Sequence, residues 1–212
     1  MRIGIKKKGL LIGLTGQTGA GKTTVSGYLI NLGYRVIDAD IVARRVVAKG
    51  STCILELATT FGVDIILPDG TLDRKKMGDI IFTSKQKRIE FNKVIFPYIQ
   101  EEIESEVERM RSDGAPVIFL DAPTLFESGT NEKCDKIISV IAKQETRLER
   151  IMHRDKISEQ AALNRIKSQH DDEFYTSRSD YVIRNNGDLG DLREQLDNVV
   201  ELIELTILEG AQ

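Results

Sequence analysis

Short apolar runs alternate with amphipathic segments along most of this chain. Such runs are typical of strands in a parallel sheet, because a strand that is covered on both faces carries few polar residues. They lie at residues 10–14, 34–37, 117–121, 136–142 and 181–184. Between them, apolar residues recur at helical spacing, as at Val25, Tyr28, Leu29 and Leu32. The pattern predicts an α/β fold with a five-stranded parallel sheet flanked by helices.

The alternation stops between residues 61 and 111, where the pattern becomes mostly helical. A turn at Pro68-Asp69-Gly70 precedes a helix that Thr71 or Asp73 can cap. Phe96-Pro97 is expected to end the next helix, because proline lacks the amide donor. We therefore predict a single domain over residues 1–212 whose helical insertion, residues 61–111, holds a second substrate. A final helix that packs on the sheet is indicated by Leu192, Leu196, Val199, Ile203 and Ile207.

A glycine-rich loop follows the first strand directly. The pattern G-x-x-x-x-G-K-[ST] turns backbone N–H groups towards phosphate oxygens, and it is matched by Gly16, Gly19, Gly21, Lys22 and Thr23. We call residues 16–24 the phosphate loop, and we expect Ala20 and Thr24 to share in nucleotide binding. The lysine of this pattern reaches the β- and γ-phosphates, and the threonine hydroxyl binds Mg²⁺. A turn that binds nothing is the alternative, but the flanking strand and helix favour a nucleoside triphosphate.

Aspartates stand at the carboxyl ends of two predicted strands. Asp38 and Asp40 follow the second strand, at the sheet edge where open α/β folds bind ligands. They are candidates for handling Mg²⁺ and for accepting a proton from an attacking hydroxyl. The alternative for Asp38 is a helix N-cap. Asp121 ends the third strand and is a candidate for positioning Mg²⁺, although a lone aspartate is common at a strand end.

Arginines form one stripe on the helix that follows the fourth strand. Arg147, Arg150 and Arg154 recur at spacings of three and four, which places them on one helical face. A solvated basic surface is one interpretation, since Glu145 and Glu149 lie nearby. Next to a phosphate loop, arginines on a mobile lid can also clamp the transferring phosphoryl group.

Composition narrows the class of protein. The 212 residues are 41% hydrophobic and 30% charged, with a net charge of −3, which argues against a general nucleic-acid binder. No stretch approaches the roughly 18 apolar residues of a membrane span. Cys53 and Cys134 cannot build a disulfide framework or a C-x-x-C metal site, so a reducing, cytoplasmic setting is the simpler interpretation. Oligomeric state leaves no signal in these patterns.

Several segments together resemble the dephospho-coenzyme A kinase family, from Gly13 to about Gly187. They are the phosphate loop, 36–40 with Ala43-Arg44, Phe61-Gly62, 69–74, 125–127, Arg150 with Arg154-Asp155, 165–169, and 180–183 with Asn185. The phosphate loop is shared by many enzymes that bind nucleoside triphosphates. Asp38-Ala39-Asp40 and Leu72-Asp73-Arg74 at these positions are much more specific to the family.

The resemblance implies transfer of the γ-phosphoryl group of ATP, with Mg²⁺, to the ribose 3′-hydroxyl of dephospho-coenzyme A. It implies a nucleoside-monophosphate-kinase-like fold with a helical substrate-binding region and a lid at residues 145–170. Asp40 matches the family's general base, and Arg147 to Arg165 would lie in its lid. From the residues themselves we expect Lys22, Arg147 and Arg150 to act with Asp40 as catalytic residues, and Asn185 to join the nucleotide site. The acceptor would be bound by Asp38, Asp40, Arg44, Leu72, Asp73 and Arg74. This chain departs from the family's usual residues at Phe96, Thr124, Arg147 and Tyr175.

Two other functions use the same phosphate loop. One is another small-metabolite or nucleotide kinase, whose acceptor would meet the same Asp40. The other is a nucleotide-dependent switch protein, which would need an Asp-x-x-Gly segment and an Asn-Lys-x-Asp segment. Neither segment occurs in this sequence. The residues of the second are present in Asn131-Glu132-Lys133-Cys134-Asp135, but at the wrong spacing.

Overall fold

A five-stranded parallel sheet forms the centre of the fold, as predicted. The computed structural model describes residues 9–209. The strands are β1 (Leu10–Gly16), β2 (Arg35–Asp38), β3 (Val117–Asp121), β4 (Lys136–Ile141) and β5 (Tyr181–Arg184). Their order across the sheet is β2-β3-β1-β4-β5. Because β1 pairs in parallel with both β3 and β4, the segment that carries the phosphate loop lies in the middle of the sheet.

Helices lie between the strands and after the last strand along the chain. They are α1 (Lys22–Asn31), α2 (Ala39–Val46), α3 (Thr52–Phe61), α4 (Arg74–Thr83), α5 (Lys85–Ser112), α6 (Gln144–Asp155), α7 (Glu159–Lys167), α8 (Asp172–Thr176) and α9 (Leu189–Glu209). Short 3-10 turns occupy Val63–Ile65 and Thr130–Lys133. Among residues 9–209, no helix is both long and apolar enough to cross a lipid bilayer.

The chain divides into two compact units. One comprises Met1–Val36 with Met110–Gln212, and its core joins the central strands to α1 and α9. Every residue of β3 is buried, and Phe119 meets the Tyr34 ring edge-on at 5.3 Å between ring centroids. In α9, Leu192, Leu196 and Ile203 are buried against this core and Val199 and Ile207 pack partly against it, which confirms the predicted final helix.

The second unit, Ile37–Arg109, has its own apolar core. The core is built from α3, α4 and the first half of α5, with Leu57, Met77 and Ile95 all buried. The unit begins before the predicted insertion, whose first residue is Phe61. Asp73 caps α4 by accepting from the Lys76 amide at 2.9 Å, as the turn signals predicted.

The predicted helix end at Phe96-Pro97 is wrong. Helix α5 continues through Pro97 to Ser112. An interior proline removes one backbone hydrogen bond and costs about 3 kcal/mol. Val94 and Ile95 are buried, and Ile99 packs partly against the same core, so the helix buries apolar surface on both sides of the proline. That burial outweighs the local penalty.

The Ser51 side chain gives a test of local helix energetics in the second unit. Its hydroxyl accepts from the Ile54 amide at 3.2 Å and so caps α3. We expect Ser51→Ala to lower the free energy of unfolding by about 1 kcal/mol, because the amide loses its acceptor. Ser51→Asp keeps an acceptor and should retain stability in the same urea denaturation experiment. Equal loss in both variants would contradict the cap.

Candidate active site

The phosphate loop leaves several backbone donors available at the start of α1. Helix α1 begins at Lys22, and Gly21 precedes it with a φ of 100°. The amides of Gly19, Gly21, Lys22 and Thr23 donate to no acceptor within residues 9–209. Unpaired N–H groups at a helix N-terminus, together with the helix dipole, favour a bound anion. The loop therefore has the donors that a phosphate chain needs.

Three glycines of the loop closely approach neighbouring atoms, and a Cβ on Gly16 would lie 2.3 Å from the Val140 carbonyl oxygen. A Cβ on Gly19, whose φ is +77°, would lie 2.8 Å from the Arg147 carbonyl oxygen and 2.9 Å from Ile151 Cγ1. A Cβ on Gly21 would lie 2.2 Å from Asn185 Nδ2. The loop thus packs directly on helix α6 and on the segment that follows β5.

Lys22 and Asp121 form an ion pair at the carboxyl edge of the sheet. Asp121 is the last residue of β3 and is paired in register with Leu14 of β1. Its side chain is 6% exposed and accepts from the ammonium group of Lys22, which is the first residue of α1. Parallel pairing of β1 and β3 therefore brings the lysine of the phosphate loop and the aspartate predicted to position Mg²⁺ together. Thr23, the next residue, is exposed.

The Asp38-Ala39-Asp40 segment lies in the second unit. The carboxylate of Asp38 accepts from the Asp40 amide at 2.8 Å and from the Ile41 amide at 3.1 Å, so Asp38 is the N-cap of α2. These contacts match the alternative interpretation of Asp38, which was a helix N-cap. Asp40 lies in the first turn of α2 and is exposed.

The remaining residues expected to bind the acceptor also have local roles in the second unit. Leu72 is buried in the core, and the Asp73 carboxylate is engaged by the Lys76 amide. Arg74 begins α4, Arg44 lies in the last turn of α2, and both side chains are exposed. Exposure leaves the two guanidinium groups available to an anionic ligand.

The predicted arginine stripe on α6 has three different environments. Arg147 is 4% exposed, and burial lowers the pKa of its guanidinium, an effect that Asp172 partly offsets. Arg150 donates to the Asn185 carbonyl oxygen at 3.0 Å. Arg154 is exposed and pairs with the Asp155 carboxylate at 2.7 Å. A solvated surface therefore describes Arg154, whereas Arg147 is packed in the interior.

Side chains that the sequence analysis did not select also contact the loop. Gln169 accepts from the Thr18 amide at 2.7 Å, and Asp172 accepts from the Gln17 side-chain amide at 2.8 Å. Asn185, which was predicted, donates to the Ala20 carbonyl oxygen at 2.7 Å. Gln169 belongs to one of the segments that resemble the kinase family, which was its only signal in the sequence. No pattern pointed to Asp172.

Metal-ligating side chains are sparse. Within residues 9–209, no group of three or more histidine, cysteine, aspartate or glutamate side chains is arranged to hold a metal ion. Mg²⁺ commonly takes one or two protein ligands and completes its coordination with water and substrate phosphates. The Thr23 hydroxyl and the Asp121 carboxylate are oxygen donors of the kind such a partial ligand set uses.

A parallel sheet of this order, with a phosphate loop between its central strand and α1, defines a P-loop kinase fold. The sequence model of the dephospho-CoA kinase family matches residues 10–191. The chain belongs to the dephospho-CoA kinase family. The dephospho-CoA kinase of Listeria innocua is 41% identical over 193 residues, which cover 91% of this chain and 96% of that protein. That of Arabidopsis thaliana is 43% identical over 195 residues, covering 92% and 83%.

Solved structures agree with this assignment. A Thermus thermophilus protein superposes with a TM-score of 0.79 at 31% identity, covering 92% of this chain and 98% of its own. The dephospho-CoA kinase from Campylobacter jejuni has a TM-score of 0.69 at 26% identity, covering 91% and 96%. A shikimate kinase from Acinetobacter baumannii, at 19% identity and a TM-score of 0.54, shares the fold alone.

Gly19→Ala tests the close approach of the loop to α6. The added methyl group would strain the positive φ and press on the Arg147 carbonyl oxygen, so we expect ATP affinity, measured by calorimetry, to fall about tenfold or more. Gly27→Ala is the control, because a Cβ at Gly27 in α1 meets no atom within 4 Å. Unchanged ATP affinity in Gly19→Ala would contradict a tightly fitted loop.

Proposed function

We propose that this protein transfers the γ-phosphoryl group of ATP to the ribose 3′-hydroxyl of dephospho-coenzyme A, which gives coenzyme A. The observation that carries the proposal is family membership over residues 10–191, combined with a phosphate loop whose amides are unpaired. The reaction needs little covalent help from the protein. Positioning of the two substrates and stabilisation of charge supply most of the catalysis.

The donor side of the reaction belongs to the phosphate loop. The amides of Gly19, Gly21, Lys22 and Thr23 bind phosphate oxygens, with Gly16, Ala20, Thr24 and Asn185 completing the nucleotide site. Lys22 exchanges its contact with Asp121 for the β- and γ-phosphates when ATP is bound. An ammonium group held beside the loop stabilises charge that builds up on the transferring group.

Mg²⁺ fits the residues beside Lys22. The Thr23 hydroxyl and the Asp121 carboxylate are oxygen donors of the kind that Mg²⁺ prefers. When bound, the ion neutralises charge on the β- and γ-phosphates. Asp121 is fixed at the end of a buried strand, so its carboxylate is held in one place for this role.

The acceptor side of the reaction belongs to residues of the second unit. Asp40 is the general base that takes the proton from the 3′-hydroxyl, since it is an exposed carboxylate at the position that the family's base occupies. Asp38 supports it by capping the helix on which Asp40 lies. Arg44, Leu72, Asp73 and Arg74 form the rest of the acceptor site in this proposal.

The lid of the kinase is residues 145–170. Arg150, which contacts the segment after β5, is placed in the group that stabilises the transferring phosphoryl charge, and Arg147 was assigned to the same group.

We place the reaction in the cytoplasm, because Cys53 and Cys134 are both free thiols, as in proteins of reducing compartments.

Turnover of a set of acceptors tests the proposed reaction. We expect the purified chain with Mg²⁺ and ATP to phosphorylate dephospho-coenzyme A, and to leave shikimate, gluconate and nucleoside monophosphates essentially unreacted. Formation of ADP in a coupled assay and of coenzyme A by mass spectrometry are the measurements. Efficient phosphorylation of another acceptor with no coenzyme A formed would overturn the assignment.

Asp40→Asn tests the general base. We expect kcat to fall about 10²-fold or more while the affinity for ATP stays within about twofold, because the amide cannot accept the proton. Asp79→Asn, at an exposed position of α4, is the matched control and should keep wild-type kcat. A kcat near the wild-type value in Asp40→Asn would remove Asp40 from this role.

A further inference from the structure

Both backbone polar groups of Thr18 are held by side chains from far along the chain. The Thr18 amide donates to Gln169 Oε1 at 2.7 Å, and Arg147 Nε donates to the Thr18 carbonyl oxygen at 3.0 Å. Arg147 Nη2 also donates to Gln169 Oε1 at 3.3 Å. These three hydrogen bonds form a closed ring around Thr18, the residue immediately before Gly19.

Neighbouring residues of the loop are held in a similar way. The Gln17 amide donates to the Val140 carbonyl oxygen at 3.2 Å, and its side-chain amide donates to Asp172 at 2.8 Å. The Ala20 carbonyl oxygen accepts from Asn185 Nδ2 at 2.7 Å. The carbonyl oxygens of Thr18 and Ala20 are therefore both engaged by nitrogen donors, on either side of Gly19.

A carbonyl oxygen in a phosphate loop needs such a partner because it carries a partial negative charge. If the Thr18–Gly19 peptide turned over, its oxygen would repel a triphosphate and the Gly19 amide would turn away from it. Glycines at 16, 19 and 21 have positive φ values and offer little steric resistance to such a turn. Side chains outside the loop must therefore hold the orientation.

We propose that Arg147 and Gln169 are positioning residues that hold the two peptide groups flanking Thr18 and so set the loop amides for the triphosphate. The inference rests on the proposed function and revises the assignment of Arg147 as a direct clamp. Arg147 is 4% exposed, and its Nε and Nη2 donate to the Thr18 carbonyl oxygen and to Gln169 Oε1. Its guanidinium acts on the reaction through the loop.

Arg147→Met and Gln169→Leu test the proposal, with inorganic tripolyphosphate and ATP as ligands in calorimetry. Each variant should raise the Kd for both ligands about tenfold and leave the Kd for dephospho-coenzyme A within about twofold, because only the loop is disturbed. The double variant should be little worse than either single variant, since the three hydrogen bonds depend on one another. Arg147→Lys, which keeps one donor and the charge, should fall in between and serves if Arg147→Met does not fold.

Arg111→Met is the matched control. Arg111 Nε donates to the Gly9 carbonyl oxygen at 2.9 Å, the same type of bond at the opposite end of β1. We expect Arg111→Met to lower Tm without changing the Kd for tripolyphosphate or for ATP. If Arg147→Met lowers Tm as Arg111→Met does and leaves the tripolyphosphate Kd unchanged, the role of Arg147 is only structural.

A direct contact of Arg147 with phosphate gives a different result. In that case Gln169→Leu, with Arg147 intact, keeps the wild-type tripolyphosphate Kd, while Arg147→Met loses affinity. This outcome also overturns the proposal. Tripolyphosphate has no base and needs no acceptor, so the result is independent of whether dephospho-coenzyme A is the substrate.

Discussion

A backbone that binds an anion must keep its N–H groups unpaired and its carbonyl oxygens occupied. The phosphate loop meets both requirements: four of its amides have no acceptor within residues 9–209, while the Thr18 and Ala20 oxygens are bound by side chains. The four residues are half-buried or exposed, so a phosphate ligand can reach their amides and accept from them. Helix α6 and the segment after β5 supply the carbonyl partners and the close packing against Gly19 and Gly21.

The parallel sheet converts this local arrangement into a site. Because β1 lies between β3 and β4, the strand that ends in the loop has Asp121 on one side and the Val140 carbonyl oxygen on the other. Strands that are parallel all end at one edge, so residues distant in sequence meet there. Lys22 and Asp121 are 99 positions apart and form an ion pair. Their pairing is a consequence of strand order.

Patterns confined to a few residues were predicted well from the sequence. The five strands, the phosphate loop and the α4 cap depend on neighbours in the chain, which the printed residues show directly. The helix end predicted at Pro97 was wrong because the prediction considered only the missing amide of proline. Burial of apolar residues on both sides of Pro97 decides the structure of α5. The ring around Thr18 joins residues 129 and 151 positions apart, so no spacing could reveal it. The three arginines of α6 looked equivalent on a helical projection, yet packing against the loop buried only Arg147.

The burial of Arg147 shows why charge patterns alone do not assign roles to arginines. A guanidinium that loses water needs other acceptors, and here a backbone oxygen and the Gln169 amide oxygen supply them. Burial lowers the pKa of its guanidinium, and the nearby Asp172 partly offsets that effect. A permanently charged, planar donor beside a phosphate site also contributes a favourable field without touching the ligand. Fixed geometry and long-range charge thus come from one side chain, which an exposed arginine such as Arg154 cannot match because solvent screens it.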